Sequence, residues 1–140
     1  MSAADRVLAL QLDTLELHLS EEILTVVIHR PEVLNALSPQ VISEFREVFG
    51  ALRESLGLPL VEGGEELDWS IRGVILTGSG GKAFIAGADI SALNAMTPEQ
   101  SRANTAETHE LFVWIETLPV PVVAAVNGFA LGGGCEIAMA

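Results

Sequence analysis

The chain has 140 residues, 49% of them hydrophobic, and carries 7 Lys+Arg against 19 Asp+Glu for a net charge of −12. It is long enough for one domain with a core to bury, and its charge argues against a nucleic-acid backbone or an anionic bilayer as partner. The lone Cys135 excludes an internal disulfide framework and leaves no Cys-x-x-Cys for zinc, so no metal is expected and a reducing cytoplasm is the default location.

The first residues lack the basic start and continuous apolar core of a secretory signal. Residues 7–12 are apolar and either lengthen the first strand or make residues 1–14 an arm; the pattern leaves both open. Leu15, Leu17 and Leu19 alternate with Glu16 and His18, and Ser20-Glu21-Glu22 separates them from an apolar run over 23–28. This predicts two strands joined by a tight turn. His29-Arg30-Pro31 ends the second strand, because proline has no N–H and restricts its predecessor. Ser38 then reads as an N-cap with Pro39 at the first helical position, and Leu37 and Ile42 are spaced as a hydrophobic staple. Val41, Phe45, Val48, Leu52 and Leu56 keep helical spacing until Gly57 and Pro59.

Residues 58–70, with Glu62, Glu65, Glu66 and Asp68 around Gly63-Gly64, read as a solvated connection. Gly73-Val74-Ile75-Leu76-Thr77 is a short strand, and Gly78-Ser79-Gly80-Gly81 a flexible loop. The run to Lys82 is too short for a phosphate loop, and Ala83 stands where a magnesium-binding hydroxyl would be. Asp89 opens a short helix over 90–96. Thr97-Pro98-Glu99-Gln100 fits a capping box and starts a long helix to about Thr117, with Leu111, Trp114, Ile115 and Leu118 as its packing face. His109-Glu110 lacks the second histidine of a zinc protease, and His18, His29 and His109 are too scattered for a catalytic assignment. Trp69 and Trp114 are assigned to core or loop burial, and Cys135 to buried small-residue packing rather than to a reactive thiol.

The end of the chain carries the most chemistry. Residues 122–126 form an apolar run fit for a buried strand; it breaks at Asn127-Gly128, passes Gly132-Gly133-Gly134, and brings Glu136 into apolar surroundings at a helix start. The stretch approaches the length of a membrane span, but Pro121, Asn127, the glycines and Glu136 favour a strand followed by a helix. The order of elements predicts an α/β fold. The final helix has barely begun at Ala140, so the sequence reads as cut inside its core.

Two strand-to-helix junctions, Ala86-Gly87-Ala88 and Gly132-Gly133-Gly134, offer sterically open amides. One N–H from each, converging on one oxygen, would make an oxyanion hole worth roughly 2.7 to 4 kcal/mol per donor. Glu136 would stand beside it as general acid or base. The residues alone leave open the plainer alternative, in which the glycines allow close strand-helix packing and Glu136 is a surface carboxylate favoured by the helix dipole.

His29-Arg30-Pro31 with Leu34-Asn35-Ala36-Leu37, then 73–78, 83–90 and 119–136, together resemble the crotonase superfamily, with enoyl-CoA hydratases nearest, in register from about Leu15 to Ala140. The resemblance implies a spiral of strand-strand-helix units, of which residues 1–140 would be the N-terminal portion, and an acyl thioester of coenzyme A as substrate, with no separate cofactor. It implies that the N–H groups of Ala88 and Gly133 hold the thioester oxygen. Glu136 would be one of two glutamates that add water across the α,β double bond, the second lying outside this sequence. Leu34, Ala36, Ala86, Gly87, Ala88, Asp89, Ile90 and Gly133 would line the substrate site, and Lys82 and Arg30 are candidates to neutralise coenzyme A phosphates, although solvated charge is the plainer reading for both. The resemblance further implies a homo-oligomer for the full-length protein. Two other readings are an isomerase, hydrolase or decarboxylase of the same superfamily, and a non-catalytic fragment that associates through an uncovered core face.

Overall fold

The computed structural model describes residues 1–58 and 68–140; Glu62, Glu65 and Glu66 of the expected acidic connection lie outside the described residues. Strands β1 (Leu15–Ser20) and β2 (Ile23–Ile28) form the expected antiparallel hairpin, from Leu15 opposite Ile28 to Ser20 opposite Ile23. Its two turn residues, Glu21 and Glu22, both take positive φ, at 49° and 65°, the hand that matches strand twist. Alternation along β2 buries Leu24, Val26 and Ile28 completely. They share one core with Val41, Phe45, Val48, Phe49 and Leu52 of helix α2 (Pro39–Ser55). Each such side chain contributes roughly 1.5–3 kcal/mol on burial. Ser38 caps α2 as its sequence predicts, accepting the Val41 N–H at 3.3 Å.

The rest of the chain winds. Strand β3 (Gly73–Gly78) runs parallel to β2, and β5 (Val122–Ala124) parallel to β3, giving a sheet of order β1-β2-β3-β5. Strands β4 (Ala83–Ile85) and β6 (Phe129–Ala130) pair in parallel as a second sheet, and an isolated parallel bridge joins Leu37 to Ala88. Each turn thus lays a strand in the first sheet, crosses to the second, and returns through a helix: α2, then α3 (Ile90–Asn94) with α4 (Pro98–Glu116), then α5 (Gly133–Met139). This is the α/β spiral expected from the sequence.

Two asparagines fasten the turns together. Asn35, fully buried, accepts the Arg30 N–H at 2.9 Å and donates to Ser79 O at 2.9 Å and Ala83 O at 3.0 Å. Asn127 reaches the same segment from the third turn, accepting the Gly78 N–H at 3.0 Å and donating to Gly78 O at 2.8 Å. The glycine loop 78–81, expected to be flexible, is therefore held at both sides.

Other expectations are corrected. Residues 7–12 neither lengthen β1 nor form a loose arm: helix α1 (Ala3–Leu8) starts at a Ser2–Asp5 capping box and buries Ala3 and Val7. Asp68 is more than a solubilising charge, because it accepts the Ala3 N–H and, at 2.8 Å, the Ser70 N–H. The short helix closes at Asn94 rather than Met96. Trp69 is half exposed, whereas Trp114 packs half-buried against the core as expected, with the Arg46 and Arg53 guanidiniums 4.7 and 5.6 Å from its ring centre. The run 122–126 is not a buried strand: β5 is an edge of its sheet, and Val123 is 56% exposed because no described element covers it.

Glu44 is a buried carboxylate with no counterpart among the sequence-level expectations. It accepts the N–H groups of Asp13, Thr14 and Leu15 and the Thr14 hydroxyl, between 2.8 and 3.1 Å, and so ties α2 to the start of β1.

Gly134 packs so closely on β4 that a Cβ there would stand 2.0 Å from Ile85 O. Backbone cannot yield as a flexible side chain does, so Gly134→Ala is expected to cost at least ~2 kcal/mol, read as a lower denaturant midpoint at unchanged slope. Hydrogen bonds from Ser2 to Asp5, and from Ser70 and Ala3 to Asp68, hold both carboxyls below the ordinary 3.8. Groups lowered by folding are protonated first in the unfolded chain, so their stabilisation is complete above the ordinary value and is lost as pH falls through the lowered ones. Amide exchange at Val7 in α1 should therefore accelerate relative to Val48 in α2 as pH drops below 3.8; parallel acceleration at both would refute this local anchoring.

Candidate active site

The junctions expected to converge do meet, and the sheet explains how. Strands β4 and β6 stay paired as far as Leu131, whose N–H reaches Ile85 O at 3.1 Å. Beyond that point they part. Gly132 takes φ 50° and ψ −122°, a region closed to side chains, and turns the chain into α5. Gly87 takes φ 110°, and a Cβ placed on Gly132 would stand 3.8 Å from the Gly87 Cα. The two glycine turns are thus in contact where the ladder ends.

The parting leaves donors free. On its far side the Gly87–Asp89 segment is tied to the first turn, with the Leu37 N–H donating to Gly87 O at 2.8 Å and the Asp89 N–H to Leu37 O at 2.7 Å. In such a parallel bridge the N–H of the middle residue, Ala88, points the other way. It has no acceptor among the described residues, and neither does the Gly133 N–H, the first of α5. Helix starts leave such donors by construction. Ala86 and Leu34 belong to the same ladder through an Ala86 N–H to Leu34 O bond of 3.1 Å.

Glu136 lies in the first turn of α5, and its Oε2 is 4.0 Å from where a Gly133 Cβ would be. Its carboxylate is exposed and makes no hydrogen bond among the described residues. The apolar enclosure expected around it is absent from the described residues; exposed Leu131 and Phe129 lie in the preceding segment instead. Cys135 is exposed, not buried, because Gly134 and Ile137 take the inward positions of α5.

Two charged residues of this region, Arg30 and Asp89, pair with each other. Arg30 donates to Ala36 O at 2.6 Å and to Asp89 Oδ2 at 3.1 Å, and its side chain is only 19% exposed. Asp89 also caps α3 by accepting the Ala92 N–H at 3.2 Å. That bond, and then Arg30, hold its carboxyl below the ordinary value. Both side chains build the loop rather than face outward. Lys82 is the only lysine of the chain. It lines a pocket of about 200 Å³ with Leu34, Asn35 and Ser79, and has no ion-pair partner among the described residues. Ile90 is 68% exposed at the start of α3. Among the described residues no cluster of His, Cys, Asp and Glu could hold a metal ion, and no helix is long and apolar enough to cross a membrane.

Comparison with known proteins shows the family. The enoyl-CoA hydratase/isomerase family profile matches residues 18–140. The short-chain-enoyl-CoA hydratase of Clostridium acetobutylicum is 40% identical over 130 residues, covering 93% of this chain and 45% of that protein. The crotonyl-CoA hydratase of Syntrophomonas wolfei is 37% identical, with 85% of this chain and 41% of that protein covered. The crystal structure of enoyl-CoA hydratase from Bacillus anthracis superposes with a TM-score of 0.76 at 31% identity, over 91% of this chain and 45% of that one. The chain thus spans less than half the length of these relatives. Matching in sequence over nearly all of its length and in the winding of its strands, the chain belongs to the enoyl-CoA hydratase/isomerase family of the crotonase superfamily.

Proposed function

We propose that the protein carrying this chain adds water across the α,β double bond of an enoyl-CoA thioester. The observation that carries this reading is the pair of unengaged N–H groups, Ala88 and Gly133, at the point where β4 and β6 part. A thioester oxygen seated there accepts both. Attack of water oxygen at the β carbon pushes an electron pair through the double bond onto that oxygen, giving an enolate that the two donors stabilise. The water gives up one proton to a carboxylate of the pair as its oxygen bonds, and the α carbon takes a proton from a carboxyl as the carbonyl re-forms. Glu136, three residues beyond Gly133, moves a proton at the atoms next to the carbonyl. The second carboxylate of the pair is proposed to come from outside residues 1–140. Coenzyme A enters as part of the substrate, with Leu34, Ala36, Ala86 and Ile90 on the surface it crosses and Lys82 as the free cation near its phosphates. Exposed apolar Val123, Val126, Phe129 and Leu131 support a further protein layer over β5 and β6, from the same polypeptide or a second copy.

Incubating the full-length protein with crotonyl-CoA should remove the enoyl-thioester absorbance and yield the 3-hydroxyacyl product. Glu136→Gln should lower kcat about 100-fold or more, the usual range for a positioned acid–base group, with little change in KM. A product with a moved double bond and no added water would assign the protein to an isomerase reaction instead.

A further inference from the structure

A line of hydrogen bonds leads from the Arg30 guanidinium to the free Ala88 N–H. Nη1 of Arg30 donates to Ala36 O at 2.6 Å. A peptide group is planar and trans, so its C=O and N–H point in opposite directions. The group that accepts from Arg30 therefore donates on its other side through the Leu37 N–H, which reaches Gly87 O at 2.8 Å. Gly87 O belongs in turn to the same peptide group as the Ala88 N–H. We propose that Arg30 is a positioning residue for the thioester site, acting through these two peptide groups to aim the Ala88 N–H and to strengthen it as a donor. The assignment rests on the oxyanion reading above.

The surroundings favour this role over a purely structural tie. The Leu37–Ala88 bridge is isolated, and Gly87, at φ 110°, is a pivot without a side chain to restrain it. The two bonds of the bridge, with the Ala86 N–H to Leu34 O bond on the near side of Gly87, still leave the Ala88 peptide room to tilt about that pivot. Arg30 is held against it by Asp89 at 3.1 Å, and Asp89 is itself fixed by capping α3. Hydrogen bonds in series polarise one another, most strongly when the terminal donor is charged and shielded from water. Lysine, a single point of charge, cannot engage Ala36 O and Asp89 with the planar fork that arginine supplies.

Infrared difference spectra of the full-length protein, binding an unreactive acyl-CoA thioester labelled with carbon-13 at the carbonyl, read the effect directly. The bound carbonyl stretch in the wild type should fall below that of the free thioester. Arg30→Gln should lose roughly half of that shift and lower kcat roughly three- to tenfold, while KM changes less than about twofold. Asp89→Asn keeps a capping side chain and removes the counter-charge, so the shift should stay as large or grow. No shift in the wild type would overturn the oxyanion reading and this assignment together. A wild-type shift that persists in full in Arg30→Gln would overturn this assignment alone. Should Arg30→Gln not fold, Arg30→Lys decides: a full wild-type shift with lysine in place would overturn the assignment, since a single point of charge cannot engage Ala36 O and Asp89 together.

Discussion

The segment between β3 and β4 must cross from one sheet to the other with its backbone polar groups satisfied, and the structure depends on how this is done. Residues 80–82 of the crossing meet solvent, but its half-buried start and the buried Ala83 need partners for their N–H and C=O groups. Asn35 and Asn127 supply the partners from the turns on either side, and both donate toward Ala83 O. A single primary amide can accept and donate at once, which is why asparagine rather than a hydroxyl residue suits each position. The same bonds stack the three turns, so the spiral and its crossing are stabilised together.

From that fastening the site follows. Once β4 is fixed, the first turn binds one side of the Gly87–Asp89 segment and the third turn pairs along the other until Leu131. The free donors arise because one partner leaves: Gly132 turns away, α5 begins, and Gly134 lets the helix pack within a side chain's width of Ile85. The close packing of the glycine cluster and its open N–H groups, which the sequence offers as separate features, are one arrangement in space. Gly134 permits the approach, and the approach leaves the Ala88 and Gly133 N–H groups without an acceptor among the described residues.

Charge is distributed by the same logic. Arg30, whose plainer reading in the sequence is a solvated charge, pairs with Asp89 at the bridge, and each side chain is less than a fifth exposed. Glu44 takes up donors at the start of β1 that no backbone partner can reach. Neither arrangement has a short-range signature. The backbone donors to Glu44 lie some thirty residues before it, although Gln40 also donates to it from the preceding helical turn, and Arg30 and Asp89 are 59 apart, so no periodicity or capping rule connects these distant pairs.

What the sequence determined by itself is local: the hairpin from alternation in 15–28, α2 and α4 from Ser38-Pro39 and Thr97-Pro98 with their apolar spacing, and the two glycine junctions, because each depends on contacts within a few residues. Tertiary structure decided what depends on neighbours distant in sequence. An apolar run at 122–126 has the composition of a buried strand, but burial requires a covering element, and none of the described residues provides one for Val123. Helix α1 opens on the local Ser2–Asp5 capping box, but its place in the fold depends on Asp68 and Ser70, more than sixty residues away, which accept the Ala3 and Ala4 N–H groups. And Ala88 differs from any other alanine only because its neighbours pair on one side while the strand on the other side turns away.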